Sequence, residues 1–292
     1  MKSFKDFNPN SILAFYLCAI LPPMLFNNPI IGILSFVGAS AVLVSIKKDG
    51  SAKSIGICIA LPFLSALISA IFVHNGATIL FFINNSRITL EAILRGLSTG
   101  ICIAAIILWC FSFSAIFTSD KLLYVFGSFS PKMALLLSMT LRYIPLIKEQ
   151  YNKTKKAQIS LGLYKDNNLI DKFKGTLKVL SIIVTWALEN GIICADSMTA
   201  RGYGVGKRSY FAIFRWEKPD LFLLGTSAVL GAFILIAGFT KALDIIWYPR
   251  IQFTEIGALQ IICFVVYTLL SLLPVIIEEK KERTWKSLQS KI

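Results

Sequence analysis

Charge is scarce in this sequence. Of 292 residues only 16% are Asp, Glu, Lys or Arg, against 55% hydrophobic, and the mean hydropathy is +0.69. Soluble domains carry about 25% charged residues. A chain of this mass without polar surface cannot stay in water, which excludes a soluble globular enzyme and a disordered segment. Histidine is almost absent, with His74 alone. The six cysteines, Cys18, Cys58, Cys102, Cys110, Cys194 and Cys263, form no CxxC pair. No metal site is expected from them; the thiols read as small buried apolar residues, and His74 as a hydrogen-bonding group at a helix end. A phosphate-binding loop is missing as well. The glycine-rich stretch from Gly202 to Lys207 lacks GxxxxGK[ST] spacing and a preceding strand, so it reads as a turn, and ATP is expected on a partner. No small-residue cleavage site follows the first apolar run, so no cleavable leader is expected.

What the sequence has is long charge-free runs. Asp6 and Lys47 enclose 40 residues, enough for two helices of about 20 residues each. Pro22, Pro23, Asn27, Asn28 and Pro29 break this run into spans near 10–26 and 29–46. A third span is expected at 54–73, followed by an apolar loop or shallow re-entrant turn over 77–86. A fourth starts near Ile88, with Glu91 and Arg95 four apart on one helix face. The runs between Asp220 and Lys241 and between Glu255 and Glu278 supply spans five and six. The expected fold is all-α: a polytopic membrane protein of about six transmembrane helices plus two long cytoplasmic helices. The expected divisions are 1–117, 118–219 and 220–292.

The net charge of +14 would suggest nucleic acid in a soluble chain. In a membrane chain it marks cytoplasmic loops, and no nucleic-acid partner is expected. With both termini placed inside, 26 of the 30 basic residues fall on the inner side. Trp247 and Tyr248 then suit the outer interface. The basic C-terminal tail could touch anionic lipid heads, and Glu278 and Glu279 read as a solvated cluster beside Lys280 and Lys281 rather than as an intramembrane acid pair.

The segment 118–219 differs in kind, with 16 basic and 7 acidic residues interrupted by uncharged stripes. Met133, Leu137, Thr140, Ile144, Ile147, Tyr151, Thr154 and Gln158 repeat at spacings of four and three. Leu177, Leu180, Val184, Ala187, Gly191, Cys194 and Met198 do the same. Such a period predicts helix-on-helix packing. Pro131 opens the first helix, Pro145 is expected to kink it, and 165–168 connects it to the second. The two helices form a weak repeat at an offset of 40. Glu149 maps to Glu189, and Ser160-Leu161-Gly162 maps to Ala200-Arg201-Gly202. Each glycine reads as a helix stop. Arg201 thus sits at a helix end between residues too small to cover it. It is either a simple C-terminal cap in the field of its own helix dipole or a fork that reaches an external carboxylate or carbonyl.

The stretch WALENGIICADSMTARGYG (186–204) resembles the signature of the transmembrane T component of energy-coupling factor (ECF) transporters, the EcfT/CbiQ-like family. HNGATILFF (74–82), TSDKLLYVFGSFSPKMALLLSMTLRYIPLIKEQ (118–150) and KRSYFAIFRW (207–216) support the likeness. The resemblance implies a multi-pass subunit of an ATP-driven importer of vitamins or of cobalt or nickel ions, with no enzyme activity of its own. It implies two coupling helices, each ending in a small-Arg-small motif that docks on one of two ATPase subunits or on a fused ATPase. It also implies a membrane-embedded substrate-binding S component as partner. Carried onto this sequence, the docking ends are Ala200, Arg201 and Gly202 and, by position, Ser160, Leu161 and Gly162. Met133, Leu137, Thr140, Val184, Ala187 and Met198 are the implied S-component contacts. Leu161 departs from the pattern, since Leu cannot make a charge-assisted bond, so the two ATPase contacts are expected to be unequal. Arg142 could pair with the S component or with phosphate headgroups. The competing reading is a self-contained polytopic enzyme or channel; the expected spans one, two, five and six offer no charged group for such chemistry.

Overall fold

The computed structural model describes residues 4–46, 50–73, 76–83, 86–162, 169–206, 214, 216–240, 243, 245, 247 and 257–289. His74, the connector 165–168, most of 207–216, and Tyr248 lie outside them. A 3-10 turn (Phe4–Asp6) precedes α1 (Pro9–Leu25), α2 (Pro29–Ile46) and α3 (Ser51–Phe72). Two strands, β1 (Ile79–Ile83) and β2 (Ser86–Thr89), lead into α4 (Leu90–Ile116), α5 (Ser119–Phe129), α6 (Pro131–Ser160), α7 (Leu169–Ala200), α8 (Lys218–Phe239) and α9 (Ala258–Gln289). The all-α membrane architecture is as expected. The contacts divide the chain into one unit of Met1–Leu122 with Phe214–Ile292 and a second of Leu123–Ile213.

Six described helices, α2, α3, α4, α7, α8 and α9, are long and apolar enough to cross a membrane. Five coincide with expected spans. The sixth expected span is α1, which at 17 residues is at the short end for a crossing. Besides these, α7, expected outside the bilayer, meets the length and apolarity of a span, although it is the least apolar of the six. The expected loop at 77–86 is corrected to an antiparallel hairpin, with Phe82 opposite Arg87 and Ile83 opposite Ser86. The aromatic and branched run Ile79–Ile83 favours a strand, and pairing satisfies backbone groups that an apolar loop would leave open.

In the first unit small residues set the packing. Ser65 Oγ donates to Gly96 O at 2.9 Å and Ser69 Oγ to Ala92 O at 2.8 Å, joining α3 to α4. A Cβ on Gly100 would meet Pro62 Cα at 2.6 Å, and one on Gly38 would meet Ser271 Cβ at 2.6 Å. Close backbone approach of this kind is how helices associate where lipid removes the hydrophobic drive. Trp109 is fully buried between Phe15 and Tyr16, with ring centroids 5.9 and 5.8 Å away. Its Nε1 donates to Ser35 Oγ at 3.0 Å, and Tyr267 Oη donates to Ala19 O at 3.0 Å. Buried polar tips are thereby satisfied inside the bundle. Cys58, Cys102 and Cys263 are buried as expected, whereas Cys110 is exposed, facing outward from α4.

Charged side chains fasten the N-terminal segment. Asp220, fully buried, accepts from Asn8 N at 3.0 Å and Glu217 N at 3.0 Å, while its carbonyl accepts from Ser11 Oγ at 3.0 Å. Glu278 accepts from Phe4 N at 3.2 Å and pairs with Lys281 at 3.7 Å, so it holds structure rather than merely facing solvent. Lys121 Nζ donates to the carbonyls of Lys5 and Ile116. Burial holds its pKa below the ordinary lysine value, partly opposed by Asp6. Glu91 is buried, and its carboxylate accepts from Thr78 N at 3.1 Å.

Candidate functional site

The second unit is organised by α6 and α7. Pro131 at the start of α6 is pre-set for a first helical turn, and the helix runs on through Pro145 to Ser160. Glu149 pairs with Lys153 at 2.7 Å, and that neighbour holds the carboxyl below its usual range. The helices meet where Tyr143 Oη donates to Asn190 O at 3.5 Å and shares a hydrogen bond with the Cys194 thiol. That thiol bond is the first cause of a raised Tyr143 pKa. No residue of α6 is buried, and in α7 only Gly175, Val179 and Ile183 are.

The two helices pack on each other as the period predicts, but much of the stripe stays uncovered. Leu177, Leu180 and Val184 on the α7 stripe stay about half exposed, at 49, 51 and 50%. A stripe reports which face is apolar, not what covers it. Of the proposed S-component contacts, Met133, Thr140 and Val184 are exposed, and Leu137, Ala187 and Met198 are partly buried.

The two helix ends are built alike. At the end of α7, Gly202 has φ 80°, its N donates to Thr199 O at 2.9 Å, and Tyr203 N donates to Met198 O at 3.0 Å. That bond pair is a Schellman stop, and the positive φ explains the glycine. At the end of α6, Gly162 has φ 89° and its N donates to Ile159 O at 3.0 Å. Leu161 and Arg201 therefore occupy equivalent capping positions. Leu161 is 79% exposed, and Arg201 is exposed too. A turn after Arg201, with Gly204 at φ 94° and Val205 at 87% exposure, carries the chain away.

Arg201 also borders a groove of about 370 Å³ between the two helices, together with Arg142, Tyr143, Asn190, Ser197 and Met198. The repeat did not foretell this. At an offset of 40 the counterpart of Arg142 is Ile182, and nothing local links residues 142 and 201.

A family model described as cobalt transport protein (CbiQ) matches residues 2–210. The chain is similar to the energy-coupling factor transporter transmembrane protein EcfT of Listeria innocua, 33% identical over 105 residues, 35% of this chain and 40% of that one. The protein of the same name from Lactobacillus helveticus is 31% identical over 107 residues, 36% of this chain and 39% of that one. That of Bacillus subtilis is 28% identical over 106 residues, with 35 and 40% covered. The matched stretch thus spans about two fifths of the length of these relatives. Since the family model takes in most of the 292 residues, the chain belongs to the CbiQ cobalt transport protein family.

Proposed function

We propose that the chain is the transmembrane T component of an ECF-type importer for a vitamin or a metal ion. It binds no ATP itself; ATP is held by two ATPase subunits or one fused ATPase. In this reading the unit around α6 and α7 carries ATPase motion to a substrate-binding S component in the membrane. Both termini lie in the cytoplasm in this reading, which puts α1 across the membrane and residues 118–219 inside, so that 26 of the 30 basic residues fall on that side. The exposed apolar side chains of α7, among them Leu169, Ile170 and Phe173 at 84, 69 and 66%, need a cover that lipid and an S component supply.

The observation that carries the reading is Arg201, exposed at the Schellman stop that ends α7. A guanidinium so presented offers a planar fork to an acidic group of a partner. The test is Arg201→Ala in the full complex. ATPase subunits should be lost on purification and uptake should fall, while Arg201→Lys keeps a partial function because a point charge lacks the fork. Normal uptake with normal ATPase retention in Arg201→Ala would refute the docking role.

A further inference from the structure

We propose that Arg142 is a second anion-binding residue of the Arg201 site, and that the two guanidiniums together hold one Asp or Glu side chain of the ATPase. The inference rests on the docking role of Arg201 proposed above. Arg142 and Arg201 come from different helices, α6 and the end of α7, yet line the same groove. Among the described residues no Asp or Glu lines that groove, and neither arginine has an ion-pair partner. Glu149 on α6 is engaged with Lys153 instead. Two like charges facing one small cavity without a counter-charge make a site that an anion completes.

The lining of the groove suits a carboxylate. About 370 Å³ leaves ample room for an Asp or Glu side chain. The Met139 and Met198 thioethers offer an adaptable apolar seat for methylene groups, and the two forks take the carboxylate oxygens. Tyr143 Oη reaches Asn190 O at 3.5 Å across the groove wall, and Asn190 Nδ2 donates to Trp186 O at 2.9 Å. Both arginines line the groove, so a carboxylate that enters it is offered both guanidiniums; with Arg201 docking the ATPase, that carboxylate is a protein side chain rather than a lipid phosphate. The arrangement also accounts for Leu161: both guanidiniums serve the α7 end, and the α6 end presents an apolar side chain.

The test titrates purified ATPase subunits onto the T–S membrane complex in nanodiscs. Arg142→Gln should weaken ATPase binding about tenfold and reduce its salt dependence. In an Arg201→Gln background the same change should add less than about twofold, because one carboxylate has already lost its grip. Arg142→Lys should recover about threefold of the loss, and it stands in for the Gln variant if that variant fails to assemble with the S component. If Arg201→Gln itself leaves ATPase binding unchanged, the docking reading falls. If Arg201→Gln weakens binding but Arg142→Gln does not, or the two add independently, only the present inference falls. A defect of Arg142→Gln seen in phosphatidylglycerol nanodiscs and absent in phosphatidylcholine nanodiscs would assign Arg142 to lipid phosphate and overturn it.

Discussion

Glycines at the helix contacts of the first unit differ from those toward the end of α7 in the second. In the first, a Cβ at Gly100, Gly38 or Gly231 would collide with Pro62, Ser271 or Cys18 at 2.6, 2.6 and 2.5 Å. In the second, a Cβ on Gly191 or Gly202 meets nothing within 4 Å. The first unit buries its small residues, aromatic rings and charged fasteners against itself. The second holds two long helices, of which α6 buries nothing. A bundle that closes on itself is a scaffold; a pair of amphipathic helices left open is completed by something else. The candidate site lies on the open pair.

Substitutions at matched residues test this contrast. The largest effect is expected for Gly100→Leu, which forces α3 and α4 apart at a backbone contact and should cost about 3 kcal/mol of stability. It would be read as a lower unfolding temperature in detergent. Gly191→Leu should be tolerated, and equal damage from both would erase the distinction between the units. Next, Asp220→Ala strips acceptors from the amides of Asn8 and Glu217 and should cost about 2 kcal/mol, measured by the same melting assay. Then Gly202→Ala, strained at φ 80° although nothing blocks its Cβ, should cost about 1 kcal/mol. It should appear as faster hydrogen exchange confined to the last turn of α7. The smallest effect on folding is expected for Leu161→Asp, within about 0.5 kcal/mol because the side chain is exposed. The same variant should nevertheless weaken ATPase retention, since it puts an unpaired charge into an apolar contact. Unchanged assembly would place Leu161 in water in the complex.

Legibility followed the range of the interactions. Charge-free runs located α2, α3, α4, α8 and α9, because a bilayer demands some 20 apolar residues in a row. The glycines at 162 and 202 mark both helix ends, because a positive-φ glycine stop is written in a few neighbouring residues. The hairpin over Ile79–Ile83 and Ser86–Thr89 is not legible in the sequence, because its apolar residues also suit a loop or a re-entrant turn. The apolar stripe of α7 misled about burial: Val179 and Ile183 are covered while Leu180 and Val184 are not.

From the sequence alone came the membrane class, the positions of five of the six candidate spans, the paired helix ends and the exposed guanidinium at 201. Each follows from composition or from contacts a few residues long. Tertiary structure alone decided that Gly100 touches Pro62, that Asp220 and Glu278 fasten the N-terminal segment, and that Arg142 shares a groove with Arg201. Those pairings depend on how separate helices meet in space, and helix periodicity records which face is apolar without naming its neighbour.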